Sequence, residues 1–318
     1  MPSNKSDASD EALAFEALLR QRGLSVAHGS VLERVILDVF AITYGLGRSE
    51  VNSGEFAKSL AGFGDLARLV LRVKDHPSFE ALLPHLRMLN DGEVRQTTWS
   101  PASDQVANKL FELYVGCLAM RCGTNIKLDD PFESHGDTPD VLATFGQLRW
   151  GIACKVVHGT HPQSVLNLVA SGIDQIDRSE ATTGLVIVSL KNRIDHNYYW
   201  PPTEFDHTGE ARVPAFRTID EPMQGIEYDT VQLGKELLAH ATESDIAAMF
   251  RGHKSIPAFT FWAQTTAMVV NDDRTIVTCP HLFNTQVFGA IPVHHQRVLE
   301  CLVAGLRHKP DSDWSLLG

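Results

Sequence analysis

RWGIACKVVHG, residues 149–159, decides how the rest of the chain is read. Its apolar run ends in a lysine and a histidine turn, the pattern of a buried strand running out into a loop. Alternate residues of a strand face the same side, so Ala153 and Lys155 look one way and Cys154 looks the other. Immediately upstream, TPDVLATF (138–145) is a second β-rich run. Only the short link GQL separates the two, and they read as a hairpin. In a hairpin of that length Asp140 sits beside Ala153 and Lys155. The pocket then holds an acid and a lysine, with an alanine where a second acid would complete it.

Working outward, SDQVANKLFELYVGCLAMRCG (103–123) has helical texture, with Ser103 as the expected cap and a stop near Gly123. TNIKLDD (124–130) is a short strand, PQSVLNLVASGIDQIDRS (162–179) a helix, and TGLVIVSLKN (183–192) a continuous apolar run of buried-strand type. The order over 103–192 is helix, three strands, helix, strand. Glu112, on the first of these helices, is a candidate for the same pocket as Asp140. Chemically, carboxylates at 140 and 153 would hold a hard divalent cation, and the lysine would position water or stabilise charge on a phosphate.

These residues resemble the PD-(D/E)xK, or restriction-endonuclease-like, nuclease superfamily. The resemblance rests on Pro139-Asp140, on Ala153-Cys154-Lys155, on Glu112 upstream and on Gln175 in GIDQIDRS downstream. It covers roughly residues 103–192, less than a third of the chain. It implies an α/β fold (α+β, mixed sheet) with an αβββαβ core, and a Mg²⁺- or Mn²⁺-dependent endonuclease hydrolysing DNA phosphodiester bonds, with RNA left open as substrate. Asp140 and Glu112 are the implied metal ligands, with Lys155 and Gln175 completing the catalytic set. The departure is Ala153, which supplies no ligand where the family has Asp or Glu. Three explanations stand: an engineered inactive variant, a degenerate homologue kept for binding, or transfer of the role to another acid, best Glu112. As written the chain is expected to be inactive, and a non-catalytic scaffold or binding subunit is the alternative. His158 and His161, in the loop HGTHPQ, stand where they can contact phosphate.

The remaining chain is organised around this core. Residues 1–10 read as a disordered tail and 11–100 as a helical N-terminal subdomain. The latter carries EALAFEALLRQRG (11–23), SVLERVILDVFAITYG (30–45) with Ser30 and Glu33 in capping-box spacing, FGDLARLVLRV (63–73) and SFEALLPHLRML (78–89). The nuclease-like domain spans 101–318 with C-terminal elaborations. These are an irregular insertion at 196–214, a helix at 230–250, strands at 258–270 and 275–279, and a closing helix at 293–308.

With 318 residues, 43% of them hydrophobic, the chain can bury a large core. No apolar run is long enough to span a bilayer and no signal-peptide core is present, so a cytoplasmic protein without membrane attachment is expected. Five cysteines without a CxxC pair read as reduced, buried thiols. A net charge of -11 excludes coating nucleic acid by bulk electrostatics and points to a nuclease that depends on a protein partner, such as a helicase or sensor subunit. Anti-phage defence is the context in which the family makes such partnerships frequent.

Overall fold

The hairpin forms as read. In the computed structural model, which describes residues 4–43, 53–134, 136–200, 204–205, 211–212, 216–218, 220–271 and 274–306, it supplies two adjacent strands, the second and third, of a six-stranded mixed sheet. The N-terminal helices are α1 (Asn4–Gln21), α2 (Val31–Thr43), α3 (Ser53–Arg72) and, after a 3₁₀ turn at Phe79–Leu82, the short α4 (Leu83–Met88), whose first turn holds Pro84. The core follows as α5 (Gln105–Cys122), β1 (Thr124–Leu128), β2 (Val141–Phe145), β3 (Leu148–Val156), α6 (Pro162–Arg178) and β4 (Thr183–Ser189). After it come α7 (His196–Tyr199), the two-residue strands β5 (Glu204–Phe205) and β6 (Ala211–Arg212), α8 (Asp220–His240) and α9 (Glu243–Ala248). The chain closes with β7 (Ser255–Gln264), β8 (Ala267–Asn271), β9 (Arg274–Thr278), β10 (His281–Val287) and α10 (Val293–Leu306).

Six strands make the main sheet in the order β1-β2-β3-β4-β7-β10. The β1–β2, β2–β3 and β7–β10 pairs are antiparallel, whereas β3, β4 and β7 run parallel. The β2–β3 turn is tight, pairing Phe145 with Leu148 around Gly146 at φ 58, a left-handed backbone that glycine adopts without penalty. One face of the sheet packs on α5, α10 and the N-terminal helices, and the other on α6, α8 and α9, giving three layers around two apolar clusters. Helix α5 is buried along nearly its whole length because helices cover it outside and the sheet covers it inside.

Several sequence expectations are corrected. Residues 4–10, read as tail, are the first turns of α1; residues 1–3 lie outside the described residues. The cap of α5 is Asp104, whose carboxylate accepts the Ala107 N–H, and not Ser103. The single helix read at 230–250 is two: α8 starts ten residues earlier at Asp220, and α9 is set off by a capping box in which Thr242 and Asp245 bond each other's backbone N–H. Strand β10, HLFNTQV, had no reading at all, since its alternating polar residues and flanking proline resemble loop. Much of the 196–214 insertion lies outside the described residues.

Candidate active site

Register decides what meets. Val141 pairs with Ile152 and Leu142 with Gly151, so Asp140 stands one residue past the end of the ladder, level with Ala153. Gly151 leaves room for Pro139: a side chain there would come within 3.1 Å of the proline ring. Asp140 is buried, and its Oδ2 accepts the Cys154 N–H at 2.6 Å. Lys155 is half-buried, and its Nζ donates to Gln175 Oε1 on α6. Gln175 in turn donates to the Gly136 carbonyl at 2.9 Å, which fixes the amide's orientation. Cys154 points to the opposite face and joins the cluster around α5, as alternation requires.

Glu112 reaches the pocket from α5 and lies beside Asp140. Two residues that sequence reading missed hold it. Lys109, one turn earlier on α5, lies 2.8 Å from Oε1 and 3.0 Å from Oε2. His85 of α4 places Nε2 3.0 Å from Oε2. The i, i+3 spacing of Lys109 and Glu112 was legible. His85 was not, since nothing local connects residues 27 apart.

The charges in this pocket are strained by burial. Burial first, then the neighbouring Glu112 charge, lifts the Asp140 carboxyl to about 7, against the pull of Lys155, the Cys154 N–H and Lys109. Burial also pushes Glu112 up, with Lys109 opposing. Burial and then the Lys109 charge drop His85 to about 4, so its ring is neutral at pH 7. Its Nε2–H therefore donates to Glu112, and its Nδ1 is buried without a partner.

Ala153 is fully buried, and its methyl lies against α6 where that helix carries Gly172. It contributes no oxygen. A Mg²⁺ or Mn²⁺ ion takes about six oxygen ligands in near-octahedral array. Asp140 has one oxygen committed to a backbone N–H, and both oxygens of Glu112 are held by Lys109. The two carboxylates already face Lys109 and Lys155. As they stand, these residues do not fit a firmly held divalent cation.

His158 and His161 have structural partners. The His158 ring bonds the Asn192 side chain at 2.9 Å. His161 caps α6, accepting the Gln163 N–H at 3.1 Å, and sets its ring edge-on to His240 at 5.1 Å. The aromatics after His196 divide: Tyr199 and Trp200 are core, while Tyr198 is exposed. All five cysteines are free thiols, with Cys117, Cys154 and Cys301 buried. Among the described residues no helix is long and apolar enough to cross a membrane.

No family model, curated protein or solved structure matches the chain.

Proposed function

We propose that the chain is a metal-dependent nuclease of the restriction-endonuclease-like kind, acting on DNA phosphodiester bonds, whose site is silenced by Ala153. What supports this is convergence. Four side chains, Glu112 from α5, Asp140 and Lys155 from the β2–β3 hairpin and Gln175 from α6, come together at one corner of the sheet, and Ala153 lies next to Cys154, whose N–H Asp140 accepts. A chance set of acids and amides has no reason to gather on the β2–β3 hairpin in that order. Lys155, oriented by Gln175, is the group placed to position water or to meet phosphate charge. With an acid at 153, two carboxylates would face each other across the ladder and complete the oxygen set that the chain as written lacks. DNA as substrate, and a helicase or sensor partner supplying the grip that an acidic chain lacks, belong to the same proposal.

Ala153→Glu and Ala153→Asp test it. A third buried carboxylate beside Asp140 and Glu112 should destabilise the chain by roughly 1–3 kcal/mol in the absence of metal. Added Mg²⁺ or Mn²⁺ should then raise the melting temperature of the variants and leave the given chain unmoved, and the variants should nick or cut DNA. Variants that keep a native circular dichroism spectrum but show neither a metal-dependent melting shift nor cleavage would leave the second reading, a nuclease-fold scaffold. The observation favouring that reading is the dry packing of Ala153 against α6.

A further inference from the structure

A second cluster lies well away from the hairpin in sequence, at the seam between the N-terminal helices and the last strands. Asp65 comes from α3, Gln264 from the end of β7, Cys279 from the turn after β9 and His281 from the start of β10. One ligand-type atom from each of Asp65, Cys279 and His281 lies within 4.8 Å of the others. Asp65 Oδ1 and His281 Nε2 are 3.2 Å apart. The Gln264 amide nitrogen sits in the same knot, 3.1 Å from Asp65 Oδ2, 3.1 Å from Cys279 Sγ and 3.4 Å from His281 Nε2. Bonds of about 2.0–2.3 Å to a tetrahedral ion separate its ligands by roughly 3.3–3.8 Å, so groups 3.1–3.4 Å apart need only a small outward shift to admit one.

One detail points to a missing participant. Gln264 is buried, and its Oε1 has no hydrogen-bond partner. Half a turn of the amide exchanges its oxygen and nitrogen. With no cation, that turn would set the carbonyl oxygen against the Asp65 carboxylate. Around a cation it would make the oxygen a fourth ligand.

We propose that Asp65, Cys279, His281 and Gln264 form a zinc site that clips α3 to the C-terminal strands. A thiolate, an imidazole and two oxygens select Zn²⁺ over Mg²⁺, because sulfur and nitrogen donors suit the softer ion. Binding releases two protons to solvent, one from the Cys279 thiol and one from His281 Nε2, and leaves a thiolate and a neutral ring as ligands. The site ties together groups up to 216 residues apart in sequence, Asp65 and His281, across the seam between α3 and the last strands. It is separate from the Ala153 pocket and does not depend on what that pocket does.

Full-length chain, stripped with a chelator and titrated with Co²⁺, tests the assignment. The expected result is roughly one equivalent bound, with a thiolate-to-cobalt charge-transfer band and strong tetrahedral d–d bands. Zn²⁺ should displace the cobalt and raise the melting temperature. Cys279→Ser should abolish the charge-transfer band, Gln264→Leu should weaken binding about tenfold or more, and Asp140→Asn should leave the spectrum unchanged. Unaltered, natively folded chain that shows no such bands and no Zn²⁺-dependent melting shift overturns the proposal. So does a Cys279→Ser variant that keeps the charge-transfer band. Because the decisive spectrum is read on the unaltered chain, misfolding of a variant does not protect the idea.

Discussion

Lys191 is only 1% exposed, and its ammonium has no hydrogen-bond partner. Burial lowers it to about 8, with Glu93 and Asp104 pulling the other way. The folded chain therefore holds fewer protons than the unfolded chain between pH 8 and the ordinary lysine range, and stability rises with pH across that window. Below pH 8 the folded state carries the full penalty of charging a dry amine. Lys191→Met keeps the length and removes the charge. It should stabilise the chain at pH 7 by about 2 kcal/mol, and by much less at pH 10, where the wild-type amine is mostly neutral in the folded chain and about a quarter neutral in the unfolded chain. Urea unfolding at the two pH values checks this, and equal effects at both would refute the buried-charge account. At this scale the sequence was informative where chemistry repeats locally. Asp140, Lys155 and Gln175 were legible from strand alternation and the resemblance, whereas His85 and Lys191 owe their importance to burial that no local pattern announces.

Elements were legible where one periodicity dominates. The β2–β3 hairpin, α5 and α6 have clear apolar patterns bounded by glycine or a cap, and they stand where they were read. Helices α8 and α9 merged in the reading because AHATES carries no glycine or proline, and the capping box at Thr242 was overlooked. Thr242→Ala removes the acceptor for the Asp245 N–H and should cost about 1 kcal/mol, read as a shift in the denaturant midpoint without a change in slope. A larger price attaches to the crossing of α6 over the sheet. A Cβ at Gly172 would come within 2.8 Å of Val186 and 3.2 Å of Ala153, so only glycine lets the helix lie this close. Gly172→Leu should lose about 2–3 kcal/mol despite the better helix propensity of leucine. It should also lift α6 and with it Gln175, leaving Lys155 without its partner. A variant as stable as the parent would mean that this close approach is not what seats α6.

For the whole molecule, the question is whether the helical N-terminus is an appendage or part of the core. Phe15, Leu19, Phe63, Leu66, Val70 and Phe79 are buried in the same apolar cluster as Phe111, Val115 and Leu118 of α5 and Trp262 of β7. Phe15 meets Phe63 edge-on at 5.4 Å, and Phe111 meets Trp262 at 5.1 Å, so the rings interlock through the layer and into the sheet. Polar ties cross the same boundary, among them His85 to Glu112, and Asp65 to both His281 and Gln264. Amphipathic spacing in the sequence shows that these helices bury one face, but it cannot say against what, which is why a separate subdomain was the natural reading. Deleting residues 1–98 would strip the outer face of α5 to water, expose several fully buried aromatic and aliphatic side chains, and leave Glu112 with Lys109 alone. Each such side chain is worth about 1.5–3 kcal/mol, so the loss exceeds the whole stability of an ordinary domain. The truncated chain should be insoluble or should bind a hydrophobic dye without a cooperative melt. A soluble fragment with a sharp melting transition would show instead that the N-terminal helices are dispensable to the fold.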